Sequence, residues 1–213
     1  MMPTVTVNCA MTADGKIAGR SRKQLRISSS EDLERVKGLR ASSDAILVGV
    51  GTVLADDPHL TVKGNPPEKN PLRVVLDSEG RTPRGAKVLD ARARTLVATA
   101  EGCQATWPGA EVWRGGEEKV DVKGLLSYLH QRGIRSVMVE GGGETIFSFF
   151  EKGLVDRYLV FVGSLVIGGR SSPTPADGDG FVEADHARLK LLSCERLGEG
   201  VLLTYEVEHG TAP

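Results

Sequence analysis

Cysteine is scarce in this sequence. Its three copies, Cys9, Cys103 and Cys194, lie far apart in 213 residues and form no C-x-x-C pair. A disulfide framework and a thiolate zinc site are therefore not expected, and a reducing cytoplasm is the expected setting. The four histidines, His59, His130, His186 and His209, are equally dispersed, so no metal is expected. Long apolar runs are missing too. None approaches the ~20 residues that a bilayer crossing needs, and the first residues enter an alternating strand with none of the features of a secretory leader. Nor does one sign of charge dominate: 27 Lys+Arg stand against 28 Asp+Glu. That argues against a broad basic field for nucleic acid or for an acidic membrane surface. Any recognition of phosphate must be local.

What is present is a chain that is 40% hydrophobic and 26% charged, enough for a core and a solvated surface. No repeat, low-complexity tract or composition shift marks a linker, and one domain over residues 1–213 is expected. Ser136–Phe150 holds the most informative stretch. Val137, Met138 and Val139 read as a strand that ends on Glu140, three glycines follow, and Ile146, Phe149 and Phe150 recur at helical spacing. Glycines permit positive φ and close approach of a ligand to the main chain. The unpaired amides that open the next helix favour an anion. The plain alternative is a tight strand-to-helix turn and nothing more.

Several other elements are legible. Thr4–Asn8 alternates as a first strand, and Asp14-Gly15 signals a turn before Lys16. Ser28 to Glu31 reads as a capping box, opening a helix with Leu33, Val36 and Leu39 on its inner side. Asp44–Gly51 is a buried strand with a glycine turn, but Gly49-x-Gly51 lacks the third glycine of the dinucleotide fingerprint. Arg73–Leu76 and Thr95–Thr99 are further strands. Asp121 caps a helix to Arg132, striped by Val122, Leu125, Leu126 and Leu129 and stopped by Gly133. Arg157–Val162, Leu189–Leu197 and Val201–Val207 close the chain as strands, the last two as a hairpin around Gly198-Glu199-Gly200. Helices alternating with strands, then a hairpin, predict an α/β fold: a mixed, mostly parallel central sheet with helices on both faces.

Three strand ends carry glycines, hydroxyls and carboxylates: Gly49–Thr52, Asp77-Ser78 and Glu140–Gly143. Ligands collect outside the carboxyl ends of strands in open α/β sheets. Lys16, Asp56 and Glu140 are then candidates for acid, base or orienting groups. Each also has a plain structural reading: a solvated turn lysine, a turn former before Pro58, and a hydrogen-bond acceptor at a strand end.

The segments VNCAMTADGKIA, GVGTVLADDPHLTVK, PLRVVLDSEGRTP and VMVEGGGETIFSFF, with LVIGG further on, together resemble the pyrimidine reductases of riboflavin biosynthesis. The resemblance runs from about Pro3 to Glu208. The DGDGF within Pro173–Phe181 and the late LGEGVLL are most similar to the free-standing, archaeal-like members. The family implies a dihydrofolate-reductase-like fold, a homodimer and NADPH as hydride donor, with NADH the alternative. It places Thr52, Asp56, Leu76, Asp77, Ser78, Glu79, Arg81, Gly141, Gly142, Gly143 and Glu144 at the cofactor. Ser78 with Arg81 would accept the 2′-phosphate. Arg40, Leu60, Lys63 and Glu140 fall to the substrate, a phosphorylated ribosylaminopyrimidine. Lys63 stands where many members have arginine, which keeps the charge and loses the bidentate fork. Lys16, Asp56 and Glu140 are the implied catalytic set. The zinc deaminase domain of fused bacterial members has no counterpart here, so reduction is expected to precede deamination.

Two rivals follow. A dihydrofolate or pterin reductase on the same fold would want a carboxylate lodged in an early helix and a more aromatic cleft. The sequence shows no such carboxylate near residue 30, and aromatics make up only 5%. A non-catalytic nucleotide-binding module would bind NADPH without oxidising it.

Overall fold

The computed structural model describes residues 1–21, 25–182 and 185–209. Along the chain it forms β1 (Thr4–Thr12), α1 (Ser30–Ala41), β2 (Ala45–Gly49), α2 (Val50–Asp56), β3 (Leu72–Leu76), β4 (Thr95–Thr99) and β5 (Glu111–Arg114). Then come α3 (Val122–Gln131), β6 (Ser136–Gly141), α4 (Gly143–Glu151), β7 (Arg157–Gly163), β8 (Arg188–Leu197) and β9 (Gly200–Glu208). The chain groups into two compact units, 1–4 with 37–139 and 5–36 with 140–213.

In the first unit the strand order is β5-β4-β3-β2-β6. β2 runs parallel to β3, β3 to β4 and β4 to β5. All five residues of β2 are buried, which is why Ala45-Ile-Leu-Val-Gly reads as an unbroken apolar run and not an alternating one. Its core joins Ile46, Val48, Val75, Val97, Val53 and Trp107; burying each large aliphatic or aromatic side chain contributes roughly 1.5–3 kcal/mol. The indole is not left with an idle donor, since Trp107 Nε1 bonds the Thr82 carbonyl at 2.8 Å. α3 buries Val122, Leu125, Leu126 and Leu129, the i, i+3, i+4, i+7 stripe expected of it. Asp121 occupies its N-cap position but makes no side-chain capping bond.

In the second unit the order is β1-β7-β9-β8. β1 and β7 are parallel, while β9 pairs antiparallel with both β7 and β8. The sheet pattern is thus mixed and mostly parallel. Val160 and Phe161 of β7 are core residues, whereas Val166 just beyond is 78% exposed.

Two expectations for α1 are corrected. The cap is Ser29, whose hydroxyl accepts the Asp32 amide at 3.2 Å, not Ser28. The apolar inner stripe is also incomplete: Leu33 is 50% exposed, Val36 and Leu39 are half-buried, and the buried residue of the helix is Asp32.

Candidate active site

In the first unit, β2 passes straight into α2, with extended Gly49 at the N-cap. Thr52 and Asp56 are both half-buried on this helix. The helix is ended by Asp57 in the left-handed conformation (φ 42°, ψ 59°), whose N–H reaches the Val53 carbonyl. Three residues on, Leu60 also holds a positive φ of 50° and is 2% exposed. A buried leucine in that region is strained and persists only where the surroundings fix it. Arg40 Nη1 donates to the Thr61 carbonyl at 3.5 Å, so the structure brings Arg40 to the segment of Leu60 and Lys63. Lys63 is exposed.

At the end of β3, Leu76 is half-buried and Asp77 is fully buried. Its carboxylate accepts the Arg81 amide (2.8 Å), the Thr82 amide (2.6 Å) and the Thr82 hydroxyl (2.6 Å). Asp77 therefore shapes the turn that presents Ser78, Glu79 and Arg81, and internal donors take up its oxygens. Ser78 Oγ accepts the Val120 amide at 3.1 Å, which leaves its own proton to donate. Glu79 and Arg81 form an ion pair at 3.3 Å with side chains 72% and 56% exposed. Such a pair is worth little in water, so it holds Arg81 only weakly.

In the second unit, Lys16 closes the turn after β1: its amide donates to Thr12 Oγ1 (3.0 Å) and its carbonyl accepts the Thr12 amide (2.8 Å). Asp14 in the same turn accepts the Thr12 hydroxyl (2.5 Å), the Gly168 amide (2.6 Å) and the Ile167 amide (3.1 Å). These bonds, the Thr12 hydroxyl foremost, hold its carboxyl down at about 2. Ile17 N–H donates to the Pro173 carbonyl at 2.9 Å. The loop that follows β7 is thereby tied to the lysine turn.

The same loop covers the glycine turn. Glu140 is half-buried next to the end of β6, and Gly142 caps α4 with φ 87° and ψ 113°, a conformation that needs glycine. Gly143 is glycine for a different reason. A Cβ there would meet the Thr174 carbonyl at 2.5 Å and Asp177 Oδ2 at 2.6 Å. The close approach to this backbone is thus made by the chain's own loop. Asp177 Oδ1 in turn accepts the Thr174 amide (3.1 Å) and hydroxyl (2.7 Å). Lys16 and Gly143 are brought to one loop, 173–177, while Glu144 is exposed.

Three residues escaped the reading of the sequence. Asp14 and Asp177 looked like loop formers, and their Asp-Gly contexts were the available signal. Asp32 is the third: its side chain is 1% exposed and is bonded at Oδ1 by Arg35 Nε (2.8 Å) and Nη2 (2.7 Å). Arg35 Nη2 also donates to Asn8 Oδ1 at 2.7 Å. An early helix does bury a carboxylate near residue 30, contrary to expectation, and a guanidinium neutralises it. Among the described residues no group of His, Cys, Asp and Glu could hold a metal ion, and no helix is long and apolar enough to cross a membrane.

Comparison with known proteins places this geometry. The solved Acinetobacter baumannii RibD superposes with a TM-score of 0.81 at 27% identity, over 98% of this chain and 59% of that one. The chain thus spans about three-fifths of that protein. The structure of Saccharomyces cerevisia Riboflavin Biosynthesis Reductase Rib7 shares the fold, with a TM-score of 0.75 at 23% identity over 97% of this chain and 90% of that one. The class is therefore that of the α/β proteins with a dihydrofolate-reductase-like fold. A family model described as the RibD C-terminal domain matches residues 3–203, and the chain belongs to that family. It is 48% identical to the 2,5-diamino-6-ribosylamino-4(3H)-pyrimidinone 5′-phosphate reductase of Archaeoglobus fulgidus, over 96% of the chain and 98% of the relative. The reductase of the same name from Methanothermobacter thermautotrophicus is 43% identical, over 98% of the chain and all of the relative.

Proposed function

We propose that this chain is a reductase of riboflavin biosynthesis that converts 2,5-diamino-6-ribosylamino-4(3H)-pyrimidinone 5′-phosphate to its ribitylamino product with NADPH. One observation carries the reading: 48% identity to a reductase of that substrate over nearly the full length of both chains. The rival folate-type reading has no such support. The buried Asp32, which would have favoured it, is already committed to Arg35.

The residues present suit a dinucleotide. Space is open around Gly51, where a Cβ would meet nothing within 4 Å, and Ser78 keeps a hydroxyl proton to donate. Arg81 supplies exposed charge for a 2′-phosphate, which supports NADPH over NADH. NADPH, when bound, supplies the hydride that reduces C1′ of the ring-opened ribosylamine. Thr52, Asp56, Leu76, Ser78–Arg81 and Gly141–Glu144 are its proposed contacts. Lys63 offers a point charge to the 5′-phosphate, beside Leu60 and Arg40. Lys16 and Asp56 assist proton movement at the ribose as the ring opens, and Glu140 accepts from the amino edge of the pyrimidinone. The enzyme works in the cytoplasm as a homodimer; exposed Leu189, Leu191 and Leu192 on outer strand β8 support association.

The test follows NADPH absorbance with the phosphorylated ribosylaminopyrimidine before and after deamination. Turnover is expected with the undeaminated compound. Turnover of dihydrofolate instead, or NADPH binding without oxidation, would select one of the rivals.

A further inference from the structure

Arg73 lies in β3 with 0% of its surface exposed. A guanidinium removed from water is tolerated only where its donors are met. Here all three nitrogens are met. Nε donates to Thr95 Oγ1 (2.9 Å), Nη1 to Asp90 Oδ1 (2.9 Å) and to the His59 and Lys87 carbonyls (3.3 Å each), and Nη2 to the Asp90 (2.5 Å) and Ala93 (2.6 Å) carbonyls. The bond to His59 is the informative one, because His59 immediately precedes the strained, buried Leu60.

His59 is held a second time, by Asp90 Oδ2 against its Nδ1 at 3.0 Å. The flanks are fixed as well. Asp57 Oδ1 accepts the Lys87 amide at 2.7 Å, and the Val62 amide donates to Asn70 Oδ1 at 2.9 Å. Asn70 itself donates to the Arg92 carbonyl at 2.9 Å. The segment 57–62 is thus strapped to the 87–93 turn, and Arg73 with Asp90 forms the buckle. The residue it delivers to the surface is Lys63.

We propose that Arg73 and its partner Asp90 are positioning residues of the reductase: by fixing the His59 carbonyl they hold Leu60 in its left-handed conformation and so set where Lys63 meets the substrate phosphate. The proposal rests on the reading of Lys63 as a substrate residue. Neither Arg73 nor Asp90 touches substrate; both act through the backbone of 59–62.

The test uses the full-length chain with Arg73→Lys and, separately, Asp90→Asn. Asp90 is 29% exposed, so its substitution is the milder one and decides the matter if Arg73→Lys fails to fold. Two readouts are taken: trypsin cleavage after exposed Lys63 in the native protein, and the split between KM and kcat. The expected result is cleavage faster by about fivefold or more, KM for the pyrimidine raised by a similar factor, and kcat within roughly twofold. The NADPH dissociation constant stays at the wild-type value. Asp90→Asn with cleavage and KM both unchanged overturns the proposal. So does faster cleavage with unchanged KM, because the segment's placement would then be irrelevant to substrate. If the wild-type chain turns over no pyrimidine at all, the functional reading fails separately, and cleavage still decides whether Arg73 and Asp90 fix the segment.

Discussion

Asp177 Oδ2 stands 2.6 Å from where a Cβ on Gly143 would lie, at the positive end of α4. A carboxylate there is favourable to the helix. It also means that an anion arriving at the same helix end shares it with a charge already present.

Two substitutions separate space from charge. Gly143→Ala drives a methyl into the Thr174 carbonyl, which is backbone and cannot swing aside, so a loss of about 1–3 kcal/mol is expected in urea unfolding. Asp177→Asn keeps the Oδ1 acceptor for Thr174 and removes only the charge. If a phosphate of the cofactor sits at this end of α4, NADPH binding tightens by about two- to fivefold, the size of one helix-dipole interaction. Unchanged affinity would move the phosphate elsewhere.

Asp14 gives a pH signature. Its carboxyl lies at about 2 in the folded chain, below the unfolded value of about 4. A depressed folded value contributes stability above the unfolded pKa and loses it as pH falls through the folded one. The stability difference between wild type and Asp14→Asn is therefore expected to be full at neutral pH and to close between about pH 4 and pH 2. Unfolding curves across that window check it; a difference that does not change with pH contradicts it.

Arg35 neutralises a carboxylate that is 1% exposed. Arg35→Met leaves Asp32 buried without its charge partner and is expected to cost about 3–5 kcal/mol. Replacing both by apolar residues of similar volume should restore most of the loss, which a double-mutant cycle measures.

The contrast between α3 and α1 shows how far the sequence could be read. Val122, Leu125, Leu126 and Leu129 announce α3 by spacing alone, and all four are buried. β4 likewise falls on Thr95–Thr99, as its central Leu-Val-Ala run suggests. In α1 the buried residue is an aspartate whose burial depends on Arg35 and on Asn8 from a distant strand. No local pattern encodes that partnership. α2 was missed because Val50–Asp56 is only two turns long and contains glycine, and β5 because Glu111–Arg114 is short and half-polar. At the site, the glycine turn was legible, but its cover by Thr174 and Asp177, some 30 residues later, was not. Asp77 was legible as a strand-end carboxylate; its engagement with Arg81 and Thr82 was not.

Asp77 is therefore expected to act through shape. Asp77→Ala removes the acceptor for two amides and a hydroxyl in a fully buried place. A stability loss of about 3 kcal/mol is expected, with weaker NADPH binding as the Ser78–Arg81 turn loosens. Intact binding alongside the stability loss would detach this turn from the cofactor.

The central claim is that this chain delivers a hydride to the sugar carbon of its substrate. NADPH deuterated in turn on each face of C4, given with 2,5-diamino-6-ribosylamino-4(3H)-pyrimidinone 5′-phosphate, tests it directly. One of the two labelled cofactors should place a single deuterium at C1′ of the ribityl product. Deuterium in the pyrimidine ring, or an unlabelled substrate recovered unchanged, would contradict the account.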